Sequence, residues 1–489
     1  MDNDHARDRP VFTQPPTVIQ GGMGVGVSGW RLASAVAATG HLGVVSGVAL
    51  DAIMTRRLQR GDPDGSVRRA LSRFPVPGVA QRIIDRYFVD GGVPDDTPFR
   101  PIPRLGLRPN PARDELTAAS NFVEVCLAKE GHDGLVGINY LEKIQLATPA
   151  AAYGAMLAGV DYVLMGAGIP AEVPRLLDCL ARGEPGELSI AVAGARSGDR
   201  NRLRFDPGTL IGATPPGQTR PRFLAIVSSA VLAQYLARDA ASAPDGFVLE
   251  TAVAGGHSSR PRGRLSLNAD GEPVYGRRDD IDVSTVAALG RPFWLAGAYA
   301  APQAVVEARA AGAAGVQVGS AFALCRESGL DPDLRRGLVA QALAGTLVVR
   351  NDPYASPTGF PFKTVQLAGT LSEDPVYASR TRLCDLGYLR EPYQRDDGRI
   401  GYRCSAEPVA TYERKGGSAA DTVGRRCLCN ALIATVGLGQ RRVGTVEPRL
   451  LTLGKQLDFL PELVARAGMD FTAADVVAYL LGSARVPPR

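Results

Sequence analysis

Apolar residues in this chain cluster in short continuous runs, and eight of these runs end in a small or polar residue. They begin at Thr17, Leu42, Leu135, Tyr162, Phe223, Gly246, Phe293 and Gly315. A continuous run, unlike an alternating one, marks a strand covered on both faces, as in a parallel sheet. Ala-rich stretches with helical spacing lie between most runs, for example residues 29–39, 149–158, 229–239 and 302–311. Strand then helix, eight times in order, predicts an α/β chain folded as a (β/α)₈ TIM barrel.

Three stretches interrupt the repeat, at about residues 51–133, 194–222 and 258–282. The first carries helical segments at 65–74 and 78–87. The second reads as a loop or small hairpin. The third follows the sixth run and holds a turn at Asn268-Ala-Asp-Gly271. Insertions of this kind belong on βα loops, which build the active site of a barrel. Beyond about Ala344 the repeat stops. The expected organisation is therefore a barrel over residues 1–345 and a C-terminal extension over 346–489, packed on the barrel and ending in helices at 456–467 and 472–481.

Composition narrows the class. Of the 489 residues, 45% are hydrophobic and 21% charged, which suits a large globular core. The net charge of +5 is scattered, not striped, so nucleic acid is not expected as a partner. No apolar run is long enough to span a membrane. Residues 1–9 are polar and do not read as a signal peptide, so a cytoplasmic location is expected. The seven cysteines do not suggest a disulfide framework. Four of them, Cys384, Cys404, Cys427 and Cys429, crowd the extension. They could make a thiolate metal site, but no Cys-x-x-Cys pair occurs and buried free thiols are favoured.

Candidate chemistry gathers at the ends of the runs. Ile19-Gln-Gly-Gly-Met-Gly-Val-Gly-Val-Ser-Gly29 closes the first and lets backbone approach a flat ligand, although a tight turn explains it equally well. Leu295-Ala-Gly-Ala-Tyr299 and Val318-Gly-Ser320 close the seventh and eighth, where barrels hold phosphate on backbone N–H groups and a helix N-terminus. The glycine spacing near the start of the chain stands in a barrel and not in a Rossmann context, which favours FMN over a tightly held dinucleotide. Ala254-Gly-Gly-His257 closes the sixth. Of four histidines, His257 alone stands at a strand end; His5, His41 and His132 do not. Imidazole titrates near neutrality and suits proton transfer at carbon. Gln20, Asn139, Ser228, Ser229 and Gln317 are further strand-end groups, each equally readable as a helix cap. Glu142 and Lys143 read as an exposed first turn. Arg260, Arg262 and Arg264 follow His257 and suit an anionic substrate or a phosphopantetheine arm, or else a solvated lid.

Together Ile19-Gln-Gly-Gly-Met-Gly24, Leu42-Gly-Val-Val-Ser-Gly47, Val136-Gly-Ile-Asn139, Ala254-Gly-Gly-His257 and Gly315-Val-Gln-Val-Gly-Ser-Ala-Phe322 resemble the nitronate monooxygenase family in its longer bacterial form. The resemblance covers about residues 15–330. FMN-dependent enoyl-acyl-carrier-protein reductases look alike at the same places. The resemblance implies FMN, with Gly22, Met23 and Asn139 by the isoalloxazine, Gly297, Ala298, Gly319 and Ser320 at the phosphate, and His257 as base. Gly21 and Gly256 count with the cofactor residues. The family has Gly-Gly where Gly297-Ala298 stands and Gly-Thr where Gly319-Ser320 stands, and Ser258-Ser-Arg-Pro-Arg-Gly263 departs from the short nitronate enzymes.

The first reading from sequence is thus a nitronate monooxygenase, oxidising an alkyl nitronate or nitroalkane with O₂. The second is an NAD(P)H-dependent reductase of enoyl thioesters, with a substrate that a carrier protein could bear. The third is a flavin-binding partner protein without turnover. The oligomeric state is not legible.

Overall fold

The computed structural model describes residues 14–196, 201–212, 217–442 and 444–483. His5, the polar start at 1–9 and part of the 194–222 stretch lie outside them. All eight runs are strands: β1 (Val18–Gln20), β2 (Gly43–Ser46), β3 (Val136–Leu141), β4 (Tyr162–Gly166), β5 (Arg222–Val227), β6 (Gly246–Glu250), β7 (Phe293–Ala296) and β8 (Gly315–Val318). They pair in parallel in the order β1-β8-β7-β6-β5-β4-β3-β2. A bridge between Ile19 and Leu42, with Gln20 N–H donating to Leu42 O at 3.0 Å, joins β1 to β2 and closes the barrel. The interior is filled by Ile19, Val44, Tyr162, Leu164, Leu224, Val248 and Trp294, so the barrel is a packed core and not a pore. Trp294 is fully buried, and its indole N–H is satisfied by Pro16 O at 2.7 Å.

Helices separate the strands as the pattern requires. The 51–133 stretch holds the two expected helices, as Ser66–Leu71 and Val79–Tyr87, and also two unexpected ones, Leu50–Gln59 and Pro111–Ala128. The last is eighteen residues long and is the barrel's second helix, so the insertion ends near residue 110. Asn110 caps it through Arg113 N–H, and Pro111 opens it. In the second stretch the hairpin starts earlier than expected: Gly186–Ser189 pairs antiparallel with Arg202–Phe205. The turn at Asn268–Gly271 is present, with Gly271 at φ 72°.

After the barrel, β9 (Val348–Asp352) and β10 (Phe362–Gln366) form an antiparallel pair. Short strands, loops and helix Leu428–Ala434 follow, then helices Leu460–Ala467 and Ala473–Leu480. The first terminal helix starts four residues later than expected, with Pro461 in its first turn. The second packs on the barrel's first helix, Trp30–Ala37. No helix among the described residues is long and apolar enough to cross a membrane.

Candidate active site

The C-terminal ends of the barrel strands open into one cavity of about 500 Å³. Gly21, Gly22, Met23, Asn139, Gly256, His257, Gly297, Ala298, Gly319 and Ser320 all line it. The extension supplies the opposite wall, with Phe360, Phe362, Tyr388, Cys429 and the leucines 389, 428, 432, 450, 451 and 453. The site is thus built between barrel and extension.

One side is a close-packed cradle. A Cβ on Gly22 would lie 2.3 Å from Asn139 Cβ, and one on Gly297, at φ +86°, would lie 2.3 Å from Thr251 Oγ1. Only glycine lets backbone come this near its neighbours. Backbone strain collects here as well: Ala49, Ala167 and Ala298 adopt positive φ, and all three line the cavity. Asn139 Nδ2 donates to Gly22 O at 3.2 Å, but Asn139 Oδ1 and Gln317 Oε1 are buried without a partner. Unsatisfied amide oxygens beside a bare glycine surface fit a flat heterocycle with its own N–H groups, as FMN has. The phosphate end of the expectation changes in one respect. The helix after β8 is a single turn, Ser320–Ala323, so the donors there are backbone N–H groups and a hydroxyl, not a long helix dipole. Ser320 Oγ already accepts from Gly454 N–H at 2.8 Å and keeps its proton to donate.

His257 is held by the extension. It bridges to Phe362, Lys363 N–H donates to Gly256 O at 2.9 Å, and Ser258 N–H donates to Pro361 O at 2.9 Å. The Phe362 ring stands edge-on to the imidazole at 4.9 Å. Ser356 Oγ lies 2.7 Å from His257 Nε2 and is itself bonded to Thr358 Oγ1 at 2.8 Å. Burial, and then the charge of Lys143, lowers the His257 pKa to about 4, so the imidazole is neutral at pH 7. The sequence expectation of a group titrating near neutrality is corrected by this environment.

A carboxylate does titrate there. Glu250 ends β6 and lines the cavity, and burial raises its pKa to about 7 against the opposing pull of Lys363. Lys363 is fully buried, with its pKa lowered by burial to about 8, and it donates to Ala252 O and Ser258 Oγ, both at 2.5 Å. Glu250, Ser356 and Lys363 were not singled out from sequence. Only Glu250 carried a signal, an acid closing an otherwise apolar run.

The other expectations divide. Arg260 and Arg262 stand outside the cavity wall and are exposed. Arg260 folds over Phe360 with Cζ 5.2 Å from the ring centroid, whereas Arg262 is engaged through its backbone N–H, which donates to Asp279. Lys143 and Glu142 are not an exposed turn: both are half-buried, and Lys143 Nζ lies 4.2 Å from the Phe360 centroid. Gln20 is structural, bonded to Ser28 Oγ and Val44 N–H. Ser229 caps its helix through Leu232 N–H. His132 bonds Ala128 O far from the site. The seven cysteines are free, and Cys384 lies beside Cys404. Among the described residues no group of three or more metal-binding side chains is assembled.

No family model matches the chain, and no curated protein matches it. Solved structures that superpose on it include FabK from Thermotoga maritima, at 15% identity and TM-score 0.46, covering 96% of this chain and 93% of that one. A nitroalkane oxidase from Streptomyces ansochromogenes matches at 16% identity and TM-score 0.44, covering 96% of each. The enoyl reductase domain of MlnA from Bacillus amyloliquefaciens matches at 10% identity and TM-score 0.35, covering 73% of this chain and 64% of that one. At these identities and scores the functional argument is carried by the site itself.

Proposed function

We propose that the chain is an FMN-dependent oxidoreductase that reduces an α,β-unsaturated thioester at the expense of NAD(P)H, taking up one proton per hydride. The observation that carries this reading is the apolar wall beyond the cradle, where Leu428, Leu432, Leu450, Leu451, Leu453 and Phe459 line the same cavity. An acyl chain gains free energy by filling such a wall. A nitronate has few apolar atoms to offer it, and its charge is costly to desolvate among leucines. A histidine with pKa about 4 is also a weak base towards a neutral nitroalkane. These two points move the nitronate monooxygenase from first reading to second.

FMN supplies hydride exchange between the nicotinamide donor and the electron-poor alkene. Gly21, Gly22, Met23, Asn139 and Gly256 are the residues to hold its ring system, and Gly297, Ala298, Gly319 and Ser320 its phosphate. His257, neutral and positioned by Ser356, donates a hydrogen bond to the thioester oxygen, where negative charge develops. A neutral imidazole suits this better than a cation, which would give its proton away. Glu250 carries the proton that the α-carbon takes up, since it is half-protonated near pH 7.

The test is anaerobic. NAD(P)H added to the FMN-loaded protein should bleach the flavin, and a medium-chain enoyl thioester should restore the colour. His257→Ala should slow that recovery about 10²–10⁴-fold while flavin stays bound. Bleaching by an alkyl nitronate but not by NAD(P)H would establish the second reading. A protein that takes up no FMN would sink both.

A further inference from the structure

Three cations from distant parts of the chain gather on the turn of residues 354–360, of which Phe360 lines the cavity. Lys143 follows β3 and sets its Nζ 4.2 Å from the Phe360 centroid. Arg260 comes from the loop after β6, with Cζ 5.2 Å from the same ring, and donates through Nε and Nη2 to Gly359 O at 2.8 and 2.6 Å. Arg425 comes from the extension and donates through Nη1 to Tyr354 O and Ser356 O at 2.9 and 2.8 Å. The carbonyls fix the two arginines but do not neutralise them. Arg260 and Arg425 form no ion pair among the described residues, and Lys143 has only Glu142 at 3.8 Å. Burial raises the pKa of that carboxyl. Burial lowers the pKa values of both Lys143 and Arg425, and the charge of Arg260 lowers both further, against the opposing pull of Glu142 on Lys143 and of Asp352 and Asp421 on Arg425.

Bringing like charges together is costly unless something binds between them. Phe360 itself lines the cavity, so the cations stand directly behind part of its wall. We propose that Lys143, Arg260 and Arg425, on the turn of residues 354–360, form a subsite for a phosphate ester carried by a ligand that enters the cleft. Two ligands of the reductase reading bear such a group: the pantetheine arm of a carrier-bound thioester and the nicotinamide dinucleotide. The subsite stands on the cation geometry, and only the choice of ligand rests on that reading.

Calorimetric titration of the FMN-loaded protein with 4′-phosphopantetheine, pantetheine and NADPH tests it. The wild type should bind phosphopantetheine about tenfold or more tighter than pantetheine, as charge-assisted contacts to a phosphate imply. Lys143→Gln combined with Arg260→Gln should erase that preference, and Arg260→Lys should retain part of it. If the double variant instead loses affinity for NADPH, with no preference between the pantetheines in either protein, the phosphate belongs to the donor and the subsite still stands. The absence of both effects, in a variant that keeps its flavin spectrum, overturns the proposal. A phosphopantetheine preference in a protein that reduces no enoyl thioester would leave the subsite standing and bring down the reductase reading alone.

Discussion

The barrel and the segment after it satisfy their buried polar groups by different means. In the barrel, eight strands pair backbone with backbone around an apolar interior. In the segment the strands form only separate two-stranded pairs, and side chains take over. Arg426 donates to Leu371 O and Gly424 O, Arg382 to Thr422 O, and Arg425 to Tyr354 O and Ser356 O. Arg56 of helix Leu50–Gln59 reaches Leu438 O at 2.7 Å, and Arg390 reaches back to Leu105 O at 2.9 Å. Glu447, almost fully buried, pairs with both Arg380 at 2.5 Å and Arg442 at 3.0 Å. The first kind of order repeats along the chain. The second depends on individual partners hundreds of residues apart. The cavity lies where the two meet, with a glycine cradle on the regular scaffold and an apolar wall on the irregular cover.

The largest expected effect tests whether that cover is integral. Glu447→Ala strands the buried Arg380 guanidinium, while the half-buried Arg442 keeps Asp385 at 2.9 Å, and should cost about 3–5 kcal/mol. Leu164→Ala, in the barrel interior, should cost a similar 2–5 kcal/mol by leaving a hole. The two losses differ in how they are repaired. Replacing the pair with Arg380→Met and Glu447→Leu together should recover most of the first, since apolar groups of like volume need no partner. Denaturant unfolding followed by tryptophan fluorescence reads both, because Trp30 and Trp294 sit in the barrel. A loss below about 1 kcal/mol for Glu447→Ala would mean that the segment merely rests on the barrel.

Next in size is the contact by which the segment steers the barrel's histidine. Ser356→Ala removes one hydrogen bond of about 1 kcal/mol and should lower turnover roughly fivefold, with flavin affinity unchanged. Ser356→Thr should restore it. On the proposed role, in which the neutral imidazole works, wild-type turnover should fall as pH drops through about 4. The midpoint of that limb should move in Ser356→Ala. An unmoved limb together with unchanged turnover would reduce the contact to packing.

This division also explains what could be read beforehand. Strands β1 to β8 were legible because burial on both faces leaves continuous apolar runs. His257 and Asn139 were legible because strand ends in a barrel face the site. Helix Pro111–Ala128 escaped notice because Asp114, Glu115, Asn121 and Glu124 break its apolar periodicity, although Asn110-Pro111 signalled its start. Ser356 stands 99 residues from His257, and no local pattern joins them. The same holds for Phe360, Lys363 and the leucine wall. The clustered cysteines were a signal of composition only.

A smaller effect crosses the boundary between the regions. Glu250 sits on β6 and Lys363 on β10. Burial holds the Glu250 carboxyl protonated up to about pH 7, against an ordinary value of 4.5. The folded protein therefore binds more protons than the unfolded chain between these limits, so this residue makes stability decline as pH rises from 4.5 to 7. If the protonated acid serves the α-carbon, turnover should fall over pH values around 7. Glu250→Gln should flatten both profiles. A turnover profile that keeps its alkaline limb in the variant would remove Glu250 from proton transfer.

The smallest effect lies wholly in the cradle. Ala298 stands at φ +69° beside Gly297, and a left-handed alanine costs roughly 1 kcal/mol relative to a relaxed one. Ala298→Gly relieves that strain, but glycine also frees the unfolded chain and gives part of the gain back. The net expectation is a stabilisation of about 0.5 kcal/mol, with the backbone donor retained and FMN affinity at least equal. Thermal unfolding with and without FMN measures it. A gain in the apo-protein that vanishes when FMN is present would show that the cofactor already holds this turn in place. A loss in both states would mean that the alanine methyl makes contacts worth more than the strain, and that the barrel's own loops, like the segment above them, depend on particular side chains.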